Sequence, residues 1–153
     1  MTKILVIEDE VDIRANLLDL LEAEGYDIVG ADNGVTGLIG ALEHQPDLIL
    51  CDVMMPELDG YDVLRALRLE PETAMLPLIF LTALADKSDI RQGMTLGADD
   101  YLTKPFTRRE VLQAVETRLQ RQSAQQQTER TQVQTLQQEI ESLRTSSAIT
   151  LTF

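Results

Sequence analysis

Short apolar runs alternate with segments of helical period five times over about the first 120 residues, and few architectures accept that alternation. Lys3–Ile7 reads as a buried strand. Ile13, Leu17, Leu20 and Leu21 then fall at helical spacing from Val11 to Glu24, and Gly25 stops the pattern. Asp27–Ala31 is a second strand. After an Asn33-Gly34 turn, Val35, Leu38, Ile39 and Leu42 make a helix stripe, which Gly37 and Gly40 weaken by about 1 kcal/mol each relative to Ala. Pro46 precedes a third strand, Asp47–Cys51, and Tyr61–Leu69 is a short helix before Pro71. Pro77 opens the fourth strand, Leu78–Leu81, and Asp86–Leu96 is a helix ended by Gly97. Asp100–Thr103 is the fifth strand. Thr107-Arg108-Arg109-Glu110 has capping-box form, so the last helix starts at Arg108. The pattern predicts an α/β fold: a doubly wound, five-stranded parallel sheet with helices on both faces. Its ligand site lies at the carboxyl ends of the strands, where the strand order reverses.

The residues at those ends set the chemistry. The first strand ends in Glu8-Asp9-Glu10, the third in Asp52, the fourth in Thr82-Ala83 and the fifth in Thr103-Lys104-Pro105-Phe106. Carboxylates converging in one crevice repel each other unless a cation sits among them. An all-oxygen set without His or Cys favours a hard divalent ion, and few carboxylates plus waters suit Mg2+. A carboxylate nucleophile, Mg2+, an ammonium and a hydroxyl together can attack, clamp and neutralise a phosphoryl group. Glu10, Asp59 and Asp86, taken singly, read as solvated loop acids.

Composition narrows the function classes. The net charge of −13 opposes nucleic acid and anionic lipid, which predicts no direct nucleic-acid contact and no membrane association. Apolar runs are too short for a membrane span, no leader pattern opens the chain, and the lone Cys51 fits a reducing cytoplasm. Cys51 itself reads as a small buried hydrophobe, and His44, at a helix end beside Pro46, as a surface residue.

With those pieces in order, the sequence resembles the receiver domain of two-component response regulators over residues 3 to about 120. The resemblance is carried by Ile4-Leu5-Val6-Ile7-Glu8-Asp9-Glu10, by Asp47-Leu48-Ile49-Leu50-Cys51-Asp52-Val53-Met54-Met55-Pro56 with Asp59-Gly60, by Pro77-Leu78-Ile79-Phe80-Leu81-Thr82-Ala83, and by Gly97-Ala98-Asp99-Asp100-Tyr101-Leu102-Thr103-Lys104-Pro105-Phe106. It implies a flavodoxin-like strand order of 2-1-3-4-5. It implies Asp52 as phosphoacceptor and Mg2+ held by Asp9, by Asp52, by the backbone carbonyl of Met54, and by Glu8 through a metal-bound water. Thr82 is then the switch hydroxyl, Ala83 keeps the approach to the phosphoryl group open, Lys104 pairs with its oxygens and Pro105 follows a cis peptide bond. Tyr101 takes the aromatic position that moves inward with Thr82. The implied function is a phosphorylation-controlled signalling switch, not an enzyme, with a sensor histidine kinase as phosphodonor. Its readout face is formed by the helix near 86–96, the strand 100–103 and the last helix. The alternative is a receiver-like interaction module that works unphosphorylated, or the receiver portion of a larger kinase or cyclase protein.

Two rivals fail on particular residues. A dinucleotide-binding fold needs a glycine-rich loop where Glu8-Asp9-Glu10 stands. A haloacid-dehalogenase-like phosphatase ends its first strand in Asp-x-Asp, where this chain reads Glu-Asp-Glu.

Beyond residue 120 the regime changes. Residues 119–153 hold three Arg, three Glu and nine Gln, with no Gly or Pro. Val133, Leu136, Ile140 and Leu143 make an a/d seam, continued upstream by the polar Glu129, Gln126 and Gln122. We expect a receiver over 1–120, a helical linker or coiled coil over 121–146 reaching about Thr145, and a short tail over 147–153. A homodimer, formed through the readout face, the C-terminal helix or both, is the expected assembly.

Overall fold

A computed structural model of the chain describes residues 1–83 and 87–152. The elements follow one another as β1 (Lys3–Ile7), α1 (Val11–Ala23), β2 (Asp27–Ala31), α2 (Gly34–His44), β3 (Leu48–Asp52), α3 (Gly60–Leu69), β4 (Leu78–Thr82), α4 (Lys87–Thr95), β5 (Asp100–Thr103) and α5 (Arg108–Thr152). The five strands form one parallel sheet in the order β2-β1-β3-β4-β5, as expected for the flavodoxin-like arrangement. The order reverses between β1 and β3, which opens a crevice at their carboxyl ends.

Alternation along the strands builds two cores. Ile4, Val6, Leu48, Leu50, Ile79, Leu81 and Leu102 pack against Leu17 and Leu21 of α1 and Val111 and Val115 of α5. Leu5, Ile7, Ile49, Cys51, Leu78 and Phe80 pack on the other face against Ala41 of α2 and Val63, Leu64 and Leu67 of α3. Burial on both faces is why β3 and β4 are continuous apolar runs rather than alternating ones.

Some boundaries differ from expectation. β3 begins at Leu48 and includes Asp52, because Asp52 still pairs with Leu81 across the sheet. Asp47 instead accepts the Lys3 backbone N–H at 2.8 Å. α4 begins within the described residues at Lys87; Asp86, taken above as a helix start, lies outside them, as does Phe153. α5 does not stop near Thr145 but continues to Thr152, since Thr145–Thr152 contains neither Gly nor Pro to end it.

Two of the three glycines of α2, Gly34 and Gly37, allow close packing. A Cβ on Gly37 would stand 2.5 Å from Cδ1 of the buried Ile7, and one on Gly34 would stand 2.7 Å from Cβ of Leu58. A clasp at the opposite strand ends was not read from sequence. Arg68 donates to the carbonyls of Leu76 at 2.7 Å and Gly97 at 2.8 Å. Asp99 accepts the Leu78 N–H at 2.7 Å and lies 3.2 Å from the Arg118 guanidinium on α5.

By contact density the chain forms two units, Met1–Leu119 with the sheet and both cores, and Gln120–Phe153.

Candidate phosphoryl-transfer site

Glu8 leaves the end of β1 and is fully buried. Its backbone N–H still donates to Ala31 of β2 at 3.0 Å, so the sheet holds its main chain. The guanidinium of Arg14, one turn into α1, donates to the Glu8 carbonyl at 2.8 Å and pins the following bend. Asp52 ends β3 and is also buried. Lys104, from the loop after β5, reaches both acids: its Nζ lies 2.7 Å from Glu8 Oε1 and 3.2 Å from Asp52 Oδ1. Asp9 completes the group, and one carboxylate oxygen from each of Glu8, Asp9 and Asp52 lies within 4.8 Å of the others.

One ammonium among three acids does not balance the charge. Burial, then the hydrogen bond that a protonated Glu8 donates to Asp52, push the Glu8 carboxyl up to about 8 despite Lys104, and the charge of Asp52 adds to the rise. Burial and Asp52 push the Asp9 carboxyl up as well. Burial pulls the Lys104 ammonium down, but its hydrogen bond to Glu8 and the charge of Asp52 outweigh that and leave it raised. Glu8 Oε2 is buried with no hydrogen-bond partner. A buried, orphaned carboxylate oxygen in an all-oxygen, net-negative cluster fits a small hard cation. The residues present therefore suit Mg2+.

The remaining expected residues lie on β4 and β5 or just after β3, β4 and β5. Thr82 ends β4 and is buried, and its carbonyl accepts the Lys104 N–H at 2.7 Å. Ala83 follows it, exposed, at a bend. The Lys104–Pro105 peptide is cis. Met54 is 64% exposed. Tyr101, half-buried on β5, packs against the Phe80 ring at a tilt of 46°, with ring centroids 5.5 Å apart.

The sequence model of the response regulator receiver domain matches residues 4–116. The chain belongs to that family. Similar curated proteins include the DNA-binding dual master transcriptional regulator RpaA of Synechocystis sp., 44% identical over 121 residues that cover 79% of this chain and 50% of that protein. The alkaline phosphatase synthesis transcriptional regulatory protein PhoP of Bacillus subtilis is 45% identical over 119 residues, covering 78% of this chain and 49% of that protein. The chain thus spans about half the length of these relatives. Among solved structures, the chemotaxis protein CheY4 of Vibrio cholerae superposes with a TM-score of 0.74 at 28% identity, covering 76% of this chain and 98% of that one.

Three features of this receiver's site were not read from sequence as such. Gly60 opens α3 against the end of β3: a Cβ there would stand 2.5 Å from the Asp52 carbonyl oxygen. Asp59, read above as a solvated acid, is the N-cap of α3, in a reciprocal box with Asp62. Gly93 on α4 leaves room for Tyr101, whose hydroxyl a Cβ at that position would strike. The Asp59-Gly60 pair could have signalled the first two; Gly93 has no signal, because its neighbour is eight residues on and on another element. Beside the site, Ile13, Leu17, Leu20, Lys104, Pro105 and Phe106 border a groove of about 430 Å³ between α1 and the loop after β5.

Proposed function

We propose that Asp52 accepts a phosphoryl group from the phosphohistidine of a sensor histidine kinase, and that the receiver is a signalling switch rather than an enzyme. The reading is carried by Lys104 Nζ, held between Glu8 Oε1 and Asp52 Oδ1 beside an unpartnered Glu8 oxygen. An Asp52 carboxylate oxygen forms the new bond to phosphorus as the P–N bond of the donor imidazole breaks. The bonding pair stays on the imidazole nitrogen, which takes a proton from solvent. Asp9, Asp52, the Met54 carbonyl and, through water, Glu8 would hold Mg2+, which neutralises charge on the phosphoryl oxygens. Lys104 turns from Asp52 to those oxygens, and the Thr82 hydroxyl turns to donate to one of them. Ala83 leaves the approach open. Tyr101 follows Thr82 inward, which alters the face made by α4, β5 and α5.

The donor histidine lies outside these 153 residues: the one they hold, His44, is exposed at the end of α2. The apolar groove beside Lys104 offers a protein donor a footing next to the acceptor. RpaA is DNA-binding by name. For the 153 residues here, a net charge of −13 supports no direct nucleic-acid contact. No helix among the described residues is long and apolar enough to cross a membrane, which accords with a cytoplasmic partner of a kinase. Self-association through the α4-β5-α5 face belongs to the same reading.

Incubation with phosphoramidate and Mg2+ is expected to add one phosphoryl group by intact mass. The addition should vanish in Asp52→Asn and on chelation. An adduct that survives Asp52→Asn would overturn the assignment. A module that works unphosphorylated predicts instead that Asp52→Asn binds its partners as wild type does.

A further inference from the structure

The described part of the second unit, residues 120–152, lies within α5, and the apolar residues from Val133 to Leu143 are not scattered. Val133, Leu136, Ile140 and Leu143 recur at intervals of three, four and three, so they share one stripe. They are 52%, 57%, 50% and 68% exposed. A lone helix gains nothing from holding such a stripe in water.

The residues on and beside the stripe identify what covers it. Val133 and Ile140 fall at heptad position a, Leu136 and Leu143 at d, and β-branched residues at a with Leu at d favour two parallel helices. Charge gives a second, independent argument. In this frame Glu139 is at g and Arg144 at the next e. In a parallel, in-register pair, g of one helix lies against the next e of the other, so Glu139 meets Arg144 of the second copy on both edges. On one helix the two stand five apart and do not share a face. Neither forms an ion pair with another described residue of the chain. The other e positions hold Arg130 and Gln137, and the other g positions Gln125 and Gln132. An antiparallel pair sets e against e and g against g, and would offer no opposite charges.

We propose that the segment from Val133 to Arg144 pairs with the same segment of a second copy of this chain as a parallel, in-register, two-stranded coiled coil, clasped at both edges by Glu139 and Arg144. The electrostatics of the unit permit it: residues 119–153 carry three Arg and three Glu, so the whole charge of −13 resides in the rest of the chain. Upstream the seam turns polar through Gln122, Gln126 and Glu129. Glu129, at d, sets two carboxylates face to face, so the pair opens toward its N-terminal end and association is weak. The proposal stands on the helix alone and does not need Asp52 to be the phosphoacceptor.

Sedimentation equilibrium of the unphosphorylated full chain, at concentrations up to about 1 mM, tests it. The wild type is expected to dimerise. Ile140→Asn should raise the dissociation constant by roughly tenfold or more. Glu139→Arg should raise it by roughly fivefold, and adding Arg144→Glu to that variant should restore it. Glu129→Leu should tighten the dimer. Val133→Cys should cross-link to itself on mild oxidation, with no background from Cys51, which is buried. Dimerisation that ignores Ile140→Asn places the contact elsewhere and overturns the proposal. Failure of the double charge swap to restore affinity, with no Val133→Cys cross-link, overturns the parallel register. A wild type that stays monomeric throughout, or whose helix is covered only by a different protein, overturns self-pairing.

Discussion

One oxygen of Glu8 holds the Lys104 ammonium, the other has no partner, and the side chain is wholly out of water. The pH dependence follows from its carboxyl, which rises from 4.5 to about 8 on folding without metal. Between those values the folded chain keeps a proton that the unfolded chain has lost. This contribution to stability is therefore fully present below pH 4.5 and falls away as pH rises towards 8. In chelator, the melting temperature of wild type relative to Glu8→Gln should decline across that window. Removing the Asp52 charge with Asp52→Asn should move the decline to lower pH. Mg2+ requires the charged carboxylates, so its affinity should rise over the same window, read as a growing melting-temperature increment on adding metal. A wild type that tracks Glu8→Gln at every pH would remove Glu8 as the strained group. Gly93 is the second residue whose consequence can be measured. Its missing Cβ is the space Tyr101 uses, so Gly93→Ala should destabilise by about 1–3 kcal/mol in urea unfolding. Tyr101→Phe removes the hydroxyl that the new methyl would strike, and should recover part of the loss in the double variant.

Two glycines of α2 separate helix propensity from packing. Gly37 faces Ile7 at 2.5 Å, whereas Gly40 faces Leu5 Cδ1 at 3.5 Å, an ordinary contact. Both become better helix formers as Ala, by about 1 kcal/mol. Gly40→Ala should therefore stabilise by up to that amount, while Gly37→Ala should destabilise by about 1–3 kcal/mol because the buried Ile7 must move. Thermal unfolding of the two variants under identical conditions decides it, and equal signs would mean packing does not govern α2. Sequence showed both glycines only as helix weakeners, since the partner side chain comes from a strand about thirty residues earlier. The strands themselves were legible, because apolar runs bounded by Pro, Gly and acids leave little choice of state. The one-residue shift at β3 was not, because Asp52 belongs to the strand only through its pairing with Leu81. The acids, Thr82 and Lys104 were legible as strand-end residues. The Arg68–Asp99–Arg118 clasp was not, since single charged residues far apart in sequence carry no periodic signal.

At the scale of the whole molecule, the two units should differ in how their backbones resist exchange. The amides of β3 and β4 sit in a sheet with both faces covered, so their protection should be high and independent of protein concentration. The amides from Val133 to Leu143 lie on a helix whose apolar stripe is open, so their protection should rise with concentration if copies pair. Hydrogen exchange at two concentrations, read by peptide, separates these outcomes; concentration-independent protection over 133–143 would contradict pairing. The change of composition near residue 120 marked this division in the sequence, but helix continuation to Thr152 did not follow from a seam that ends at Leu143. The bond from Lys104 to Glu8 spans 96 residues, and it also sets an order in time. Synthesis delivers Glu8, Asp9 and Asp52 first, and Lys104 only 52 residues after Asp52. At about 5–20 residues per second, the nascent chain carries its acids without their counter-charge for roughly three to ten seconds. Through that interval the growing chain lacks the ammonium that lies between Glu8 and Asp52 in the folded receiver, so the crevice cannot assemble with that counter-charge until Lys104 has been added.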